Sequence, residues 1–177
     1  MYLIFSLLYA PLIVLLLGYF PLKTVAVGIV VFALVWLAVL RTTRLQAVLF
    51  PLFYLGVGIG AFVLENFVVL KLLPIMLSLA FLFFLIVGYF EHDSFILSFA
   101  KKIHRRSLSF KEEAYIQRST LFWIGLAFIN IALHGLVLLS QNDHYWVAYA
   151  SFGWYLLFGL GALAQFLHRR FVFLKQG

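Results

Sequence analysis

EHDSFILSFAKKIHRRSLSFKEEAYIQR, residues 91–118, is the one polar segment of any length in this chain. Six of the thirteen Lys and Arg residues lie in it: Lys101, Lys102, Arg105, Arg106, Lys111 and Arg118. On either side the sequence is a succession of apolar runs. The segment therefore reads as the main aqueous connection of a membrane protein, and its charges decide which side that connection faces.

Composition supports this. Charged residues make up 11% of the chain, against about 25% in a soluble domain, and mean hydropathy is +1.10. A bilayer core about 30 Å thick asks for about 20 apolar residues per helix, and several runs meet that length. Barrel strands would alternate apolar and polar residues, which these runs do not. The expected fold is all-α: one polytopic membrane domain of six transmembrane helices, with an interfacial amphipathic helix between helices 4 and 5. The spans are expected at about 2–20, 25–40, 45–64, 67–90, 119–139 and 145–167, with a cytoplasmic loop over 91–118. No Lys or Arg precedes the first apolar run and no small-x-small cleavage pattern follows it, so it reads as a retained helix rather than a signal peptide.

Inside the polar segment, Phe95, Ile96, Phe99 and Ile103 recur at helical spacing, while Lys101, Lys102, Arg105 and Arg106 take much of the remaining circumference. A helix of that pattern lies on the membrane surface, its basic side toward anionic headgroups. Ser109 with Glu112 forms a capping-box pattern, so a new helix is expected to start there and carry Tyr115 and Arg118 into the fifth span. The loops at 41–44 and 91–118 and the C-terminus hold eleven Lys and Arg, against Lys23 and Lys71 on the other side. The positive-inside rule then places both termini and the large loop in the cytoplasm. The same rule accounts for the net charge of +7 without a nucleic-acid partner; anionic lipid is the expected contact.

The polar residues outside that segment form no catalytic, cofactor-binding or metal-ligating set. With no cysteine, thiolate chemistry and disulfides are excluded. None of His92, His104, His134, His144 and His168 stands at ligand spacing from another. Asn130 and His134, four residues apart, share one face of the fifth span. They are the candidate intramembrane polar site, read first as a hydrogen bond holding span five to span six. Lys71 is read as snorkelling to the outer interface, with an ion pair to Glu65 as the sharper alternative. Gly56 and Gly60 form a small-xxx-small pair for helix packing. Tyr145, Trp146 and Tyr149 read as an interfacial aromatic belt.

The run F-A-K-K…L-S-F-K-E-E-A-Y-I-Q-R-S-T-L-F-W…F-I-N, followed by Y-W-V-A-Y…Y-L-L-F-G-L-G-A-L-A-Q-F-L-H-R-R, resembles a family of small bacterial inner-membrane proteins. Its members are often encoded beside fatty-acid or aryl-polyene-type biosynthesis genes. More distantly the spacing is similar to intracellular septation protein A. The matching positions are Tyr115, Arg118, Trp123, Asn130, Trp146, Tyr149 and Gly159, all in the C-terminal half; where an acidic residue is expected near the end of the last helix this chain has Gln165. The resemblance implies a bacterial inner-membrane, envelope or lipid-related setting and supplies no reaction.

Three functions are compatible with these features. An accessory or scaffold protein would dock a membrane or cytoplasmic protein partner through Lys101, Lys102, Arg105, Arg106, Tyr115 and Arg118. A lipid or small-molecule transporter would use the polar residues Asn130, His134, Glu65 and Lys71. An intramembrane lipid enzyme would need convergent acid, base or metal groups, which the sequence lacks. Ion-coupled transport usually needs charge at mid-membrane, which is scarce here, so the scaffold reading is the expectation. Orientation is checked by single cysteines in intact cells. Thr42→Cys, Ser107→Cys and Gly177→Cys should resist an impermeant maleimide while Asn142→Cys labels; labelling at position 107 reverses the topology.

Overall fold

The computed structural model describes residues 2–40, 45–91, 97, 110–140 and 142–173, and among them every regular element is helical. Apart from Leu97, the stretch proposed as an interfacial helix, with Lys101, Lys102, Arg105 and Arg106, lies outside the described residues, as does the basic turn at 41–44. In chain order the helices are α1 (Tyr2–Leu17), α2 (Leu22–Val39), α3 (Leu45–Leu64), α4 (Phe67–Lys71), α5 (Leu73–Phe90), α6 (Phe110–Leu139), α7 (Asp143–Ala148) and α8 (Trp154–His168). Two π-helical turns, Tyr149–Gly153 and Arg169–Phe173, follow α7 and α8.

Five helical stretches are long and apolar enough to cross a membrane: Leu22–Val39, Ala47–Leu64, Phe67–Phe90, Phe110–Leu139 and Asp143–Phe171. At most 28% of any of these windows is buried. Large apolar side chains such as Val35, Val63, Phe83, Leu136 and Leu160 therefore cover the outside. In water such continuous apolar surface would drive association; in a bilayer it is the ordinary exterior. The chain thus reads as a multi-pass membrane protein.

The N-terminal helix is shorter than expected. It ends at Leu17, where the Gly18 N–H is shared between the carbonyls of Val14 and Leu15 and Tyr19 N donates to Leu16 O at 3.0 Å. That tightening closes the helix before Pro21, which caps α2 in extended conformation. The span over 67–90 is broken for a different reason. Pro74 has no N–H to give the Leu70 carbonyl four residues back, and its ring crowds that carbonyl. The helix accordingly stops at Lys71 and resumes at Leu73. The Tyr9 hydroxyl donates to the freed Leu70 carbonyl at 2.9 Å, a replacement of the kind that makes proline tolerable in a membrane helix.

The helices divide between two compact units, Met1–Leu77 with His134–Gly153 and Ser78–Leu133 with Trp154–Gly177. In the first, Ala26, Ile29 and Ala33 of α2 and Tyr54, Val57 and Ala61 of α3 are buried at three- and four-residue steps, the repeat that brings helical side chains onto one stripe. Tyr9 meets Tyr54 edge-on at 5.6 Å. The close approach of α2 falls at Gly58, where a Cβ would lie 2.9 Å from Val30 Cγ2 and 3.2 Å from the Ala26 carbonyl. This corrects the expected Gly56–Gly60 pair: Gly56 has nothing nearby, and a Cβ at Gly60 would meet Val69 of α4. The three glycines alternate along α3, so only the middle one faces α2. In the second unit Leu82 and Leu85 of α5 and Ala127 of α6 form the core, with Trp123 and Phe158 packed on it.

Gly58→Leu should therefore destabilise the protein by about 1–3 kcal/mol, the usual cost of overpacking a close contact. Gly56→Leu should leave it near wild type. Thermal unfolding in detergent distinguishes the two.

Candidate functional site

Among the described residues, each unit holds a polar constellation. In the first it begins with short caps. Asn66 accepts from Val68 N at 2.8 Å to start α4, and Asn142 accepts from His144 N at 2.9 Å to start α7. Glu65, just before the first cap, has φ of +50°, a left-handed conformation that redirects the chain between α3 and α4. Lys71 closes α4, and its ammonium pairs with the Asp143 carboxylate. The ammonium also stands 4.7 Å from the Phe67 ring centroid and 5.9 Å from that of Trp146, within cation–π range.

This arrangement corrects two expectations. Lys71 does not snorkel: it is only 6% exposed. Nor does it pair with Glu65, whose carboxylate takes Lys23 at 2.8 Å on an open surface. Glu65 and Lys71 stand at i and i+6, not at the i+3 or i+4 spacing that brings helical side chains together, and the Asn66 cap separates them further. Trp146 leaves the expected aromatic belt as well. It is 1% exposed, edge-on to Tyr9 at 6.5 Å and to Phe67 at 5.9 Å, while Tyr145 beside it stays on the surface.

The second unit carries a polar ladder between α6 and the α8 end of the chain. Arg169 donates to Glu112 at 3.3 Å. One turn on, the Tyr115 hydroxyl bonds His168 Nδ1 at 2.9 Å, with the two rings stacked 5.8 Å apart. Next, Gln165 accepts from the Trp123 indole and donates to Ser119 Oγ at 2.8 Å, which donates in turn to Ile116 O at 2.7 Å. Trp123 stacks on Phe158 at 6.1 Å, and Gly161 has no room for a Cβ because Leu126 occupies it. Along α6 these positions step by three or four residues and along the last helix they descend, as two antiparallel helices require. Gln165 uses both halves of its amide, one as acceptor and one as donor. An ionised carboxylate there would have nothing to donate to Ser119. From α5 the ladder receives one more tie, Gln117 Nε2 donating to Tyr89 O at 2.7 Å.

Asn130 and His134 are both buried. Asn130 donates to Ser78 Oγ of α5 at 2.8 Å, a bond that joins span five to span four. His134 takes the other direction, edge-on to Tyr149 at 4.7 Å in the π-helical turn, where Gly153 leaves space for the Tyr149 ring. A single turn of helix thus serves two neighbours. Arg118 is exposed. The Glu112–Arg169 pair and the Trp123–Gln165–Ser119 chain were missed in the sequence. The signal for the first is present, since opposite charges at the same end of two adjacent spans are natural partners, but the capping-box pattern with Ser109 already accounts for Glu112.

Among the described residues no three His, Asp or Glu side chains gather as a metal set. No family model, curated protein or solved structure matches this chain.

Interhelical hydrogen bonds in membranes average about 0.6 kcal/mol and reach about 1.7. A double-mutant cycle of Gln165→Leu with Trp123→Phe should give a coupling of about 0.5–1.5 kcal/mol in unfolding. The cycle of Gln165→Leu with Ser78→Ala, which share no partner, should be additive.

Proposed function

We propose that this chain is an accessory protein of the bacterial inner membrane, acting in envelope or lipid-related biosynthesis as a scaffold. In this reading α1 supplies a sixth crossing and both termini are cytoplasmic. The basic segment between α5 and α6 lies along the cytoplasmic leaflet, holds anionic headgroups and docks a membrane or cytoplasmic protein partner. α1 has sixteen residues and rises about 24 Å, so its crossing relies on the Gly18–Phe20 turn lying in the interface.

The observation that carries the reading is the polar ladder of the second unit. Glu112, Tyr115, Ser119, Trp123, Gln165, His168 and Arg169 include the kinds of group an enzyme would converge on a substrate. Here they bond one another across two helices. They brace the end of α6 that adjoins the basic segment, and the tie from Gln117 to Tyr89 braces the end of α5 on its other side. A charged segment held at both ends by fixed helices is a platform for a partner and needs no chemistry of its own. The family resemblance favours the same setting.

The test is the quadruple substitution of Lys101, Lys102, Arg105 and Arg106 by Ala. Proteins co-purified from native membranes by the wild-type chain should be lost from the variant at equal expression. Binding of the purified variant's cytoplasmic face to anionic lipid should also fall. An undiminished set of partners, or purified protein that by itself moves or modifies a lipid in liposomes, overturns the scaffold reading.

A further inference from the structure

We infer that Lys71 and Trp146 form a binding site for a phosphate-bearing anion, with Asp143 as its resident and displaceable counter-ion. Two donors point to it. The Lys71 side chain is more than nine-tenths buried and must be neutralised where it lies. The Trp146 indole is 1% exposed, and its Nε1 meets no acceptor among the described residues. An indole N–H can only donate, so this buried group wants an oxygen that the surrounding side chains do not provide.

The Lys71 ammonium stands over the Trp146 ring, 5.9 Å from its centroid, so both donors border the same side chain. Asp143 and Trp146 stand three residues apart on α7, one above the other on a helix face. The carboxylate therefore reaches Lys71 while the indole on its own helix remains unmet. An anion with several acceptor oxygens can take both donors at once. Asp143 can give way because its side chain is 51% exposed and Lys71's only 7%: released, the carboxylate returns to water, whereas the lysine stays in place.

The surroundings hold the site open to one kind of chemistry. Phe67 and Tyr9 fix the indole by edge-on contacts, and the Tyr9 hydroxyl is already committed to Leu70 O. Lys71 and Asp143 both lie in the first turns of apolar stretches able to cross a membrane, near the depth of lipid headgroups. A phosphate could thus come from a phospholipid headgroup or from a soluble phosphate, and the two share the same recognition. The site is independent of the scaffold reading, since none of its residues belongs to the basic segment or the ladder.

The full chain in zwitterionic nanodiscs, with 15N-labelled tryptophan, tests this by NMR. Trp146→Phe assigns the indole N–H resonance of residue 146. Inorganic phosphate, dihexanoyl phosphatidate and, as the uncharged control, dihexanoylglycerol are titrated separately. The resonance should shift with a phosphate compound and not with the glyceride. Phosphatidate binding much more tightly than inorganic phosphate assigns the site to a lipid headgroup; equal affinities assign it to free phosphate. Asp143→Asn should tighten binding about tenfold, the gain expected if Asp143 occupies Lys71 about nine-tenths of the time, whereas Lys71→Met should abolish it. The opposite signs of these two effects separate a displaceable counter-ion from a structural ion pair. The proposal is overturned if no phosphate compound moves the resonance in wild type or in Asp143→Asn, as for an indole bonded only to water. It is also overturned if the glyceride acts equally, or if Asp143→Asn weakens binding. The wild-type titration decides the matter should Lys71→Met fail to fold.

Discussion

A polar group inside an apolar helix bundle must find its partner within the protein, because lipid offers none. In this chain that constraint organises everything beyond the helices themselves. Apolar side chains cover the exterior of each long helix, and apolar contact between helices gains little over apolar contact with lipid. What selects one arrangement over another is therefore a short set of hydrogen bonds, ion pairs and places where small residues let backbones approach.

The consequences are clearest around Pro74. One missing N–H ends α4 and leaves the Leu70 carbonyl without its helical donor. Tyr9 supplies the replacement from α1, and the break leaves Lys71 at a helix end, beside Asp143. A defect in one helix thus defines both a contact to α1 and the position of the most deeply buried charge among the described residues. The second unit meets the same demand by pairing its polar groups in sequence down two helices, each rung closed across the two. The contrast matters for function. The rungs of the second unit's ladder are paired with one another, which suits a brace, although Oε1 of the adjoining Gln117 has no partner among the described residues; the constellation of the first holds a buried lysine and an indole N–H without an acceptor, which suits a ligand.

Much of the helical plan was legible in the sequence. The boundaries of α3, the turn at Glu65–Asn66 and the C-terminal end of α6 at Leu139 fall where apolar runs and polar punctuation place them. The short α1 and the split of the fourth span were less legible. Both depend on local backbone bonding near Gly18 and Pro74, which a hydropathy run passes over. Partner choice was hardest to read. Proximity in the chain sets Lys71 beside Glu65, whereas its partner is Asp143. Gly56 and Gly60 matched a packing motif, although the glycine between them faces α2.

By itself the sequence determined that the chain is built of apolar helices, about how long each is, and where caps and prolines interrupt them. Those properties follow from residues within a turn or two of one another. Only the tertiary structure decided which polar groups meet: Lys71 with Asp143 across 72 positions, Tyr9 with Leu70 across 61, Tyr115 with His168 across 53. Among several candidate donors and acceptors of similar chemistry, the choice depends on helix register and packing distance. Neither is set until the helices are side by side.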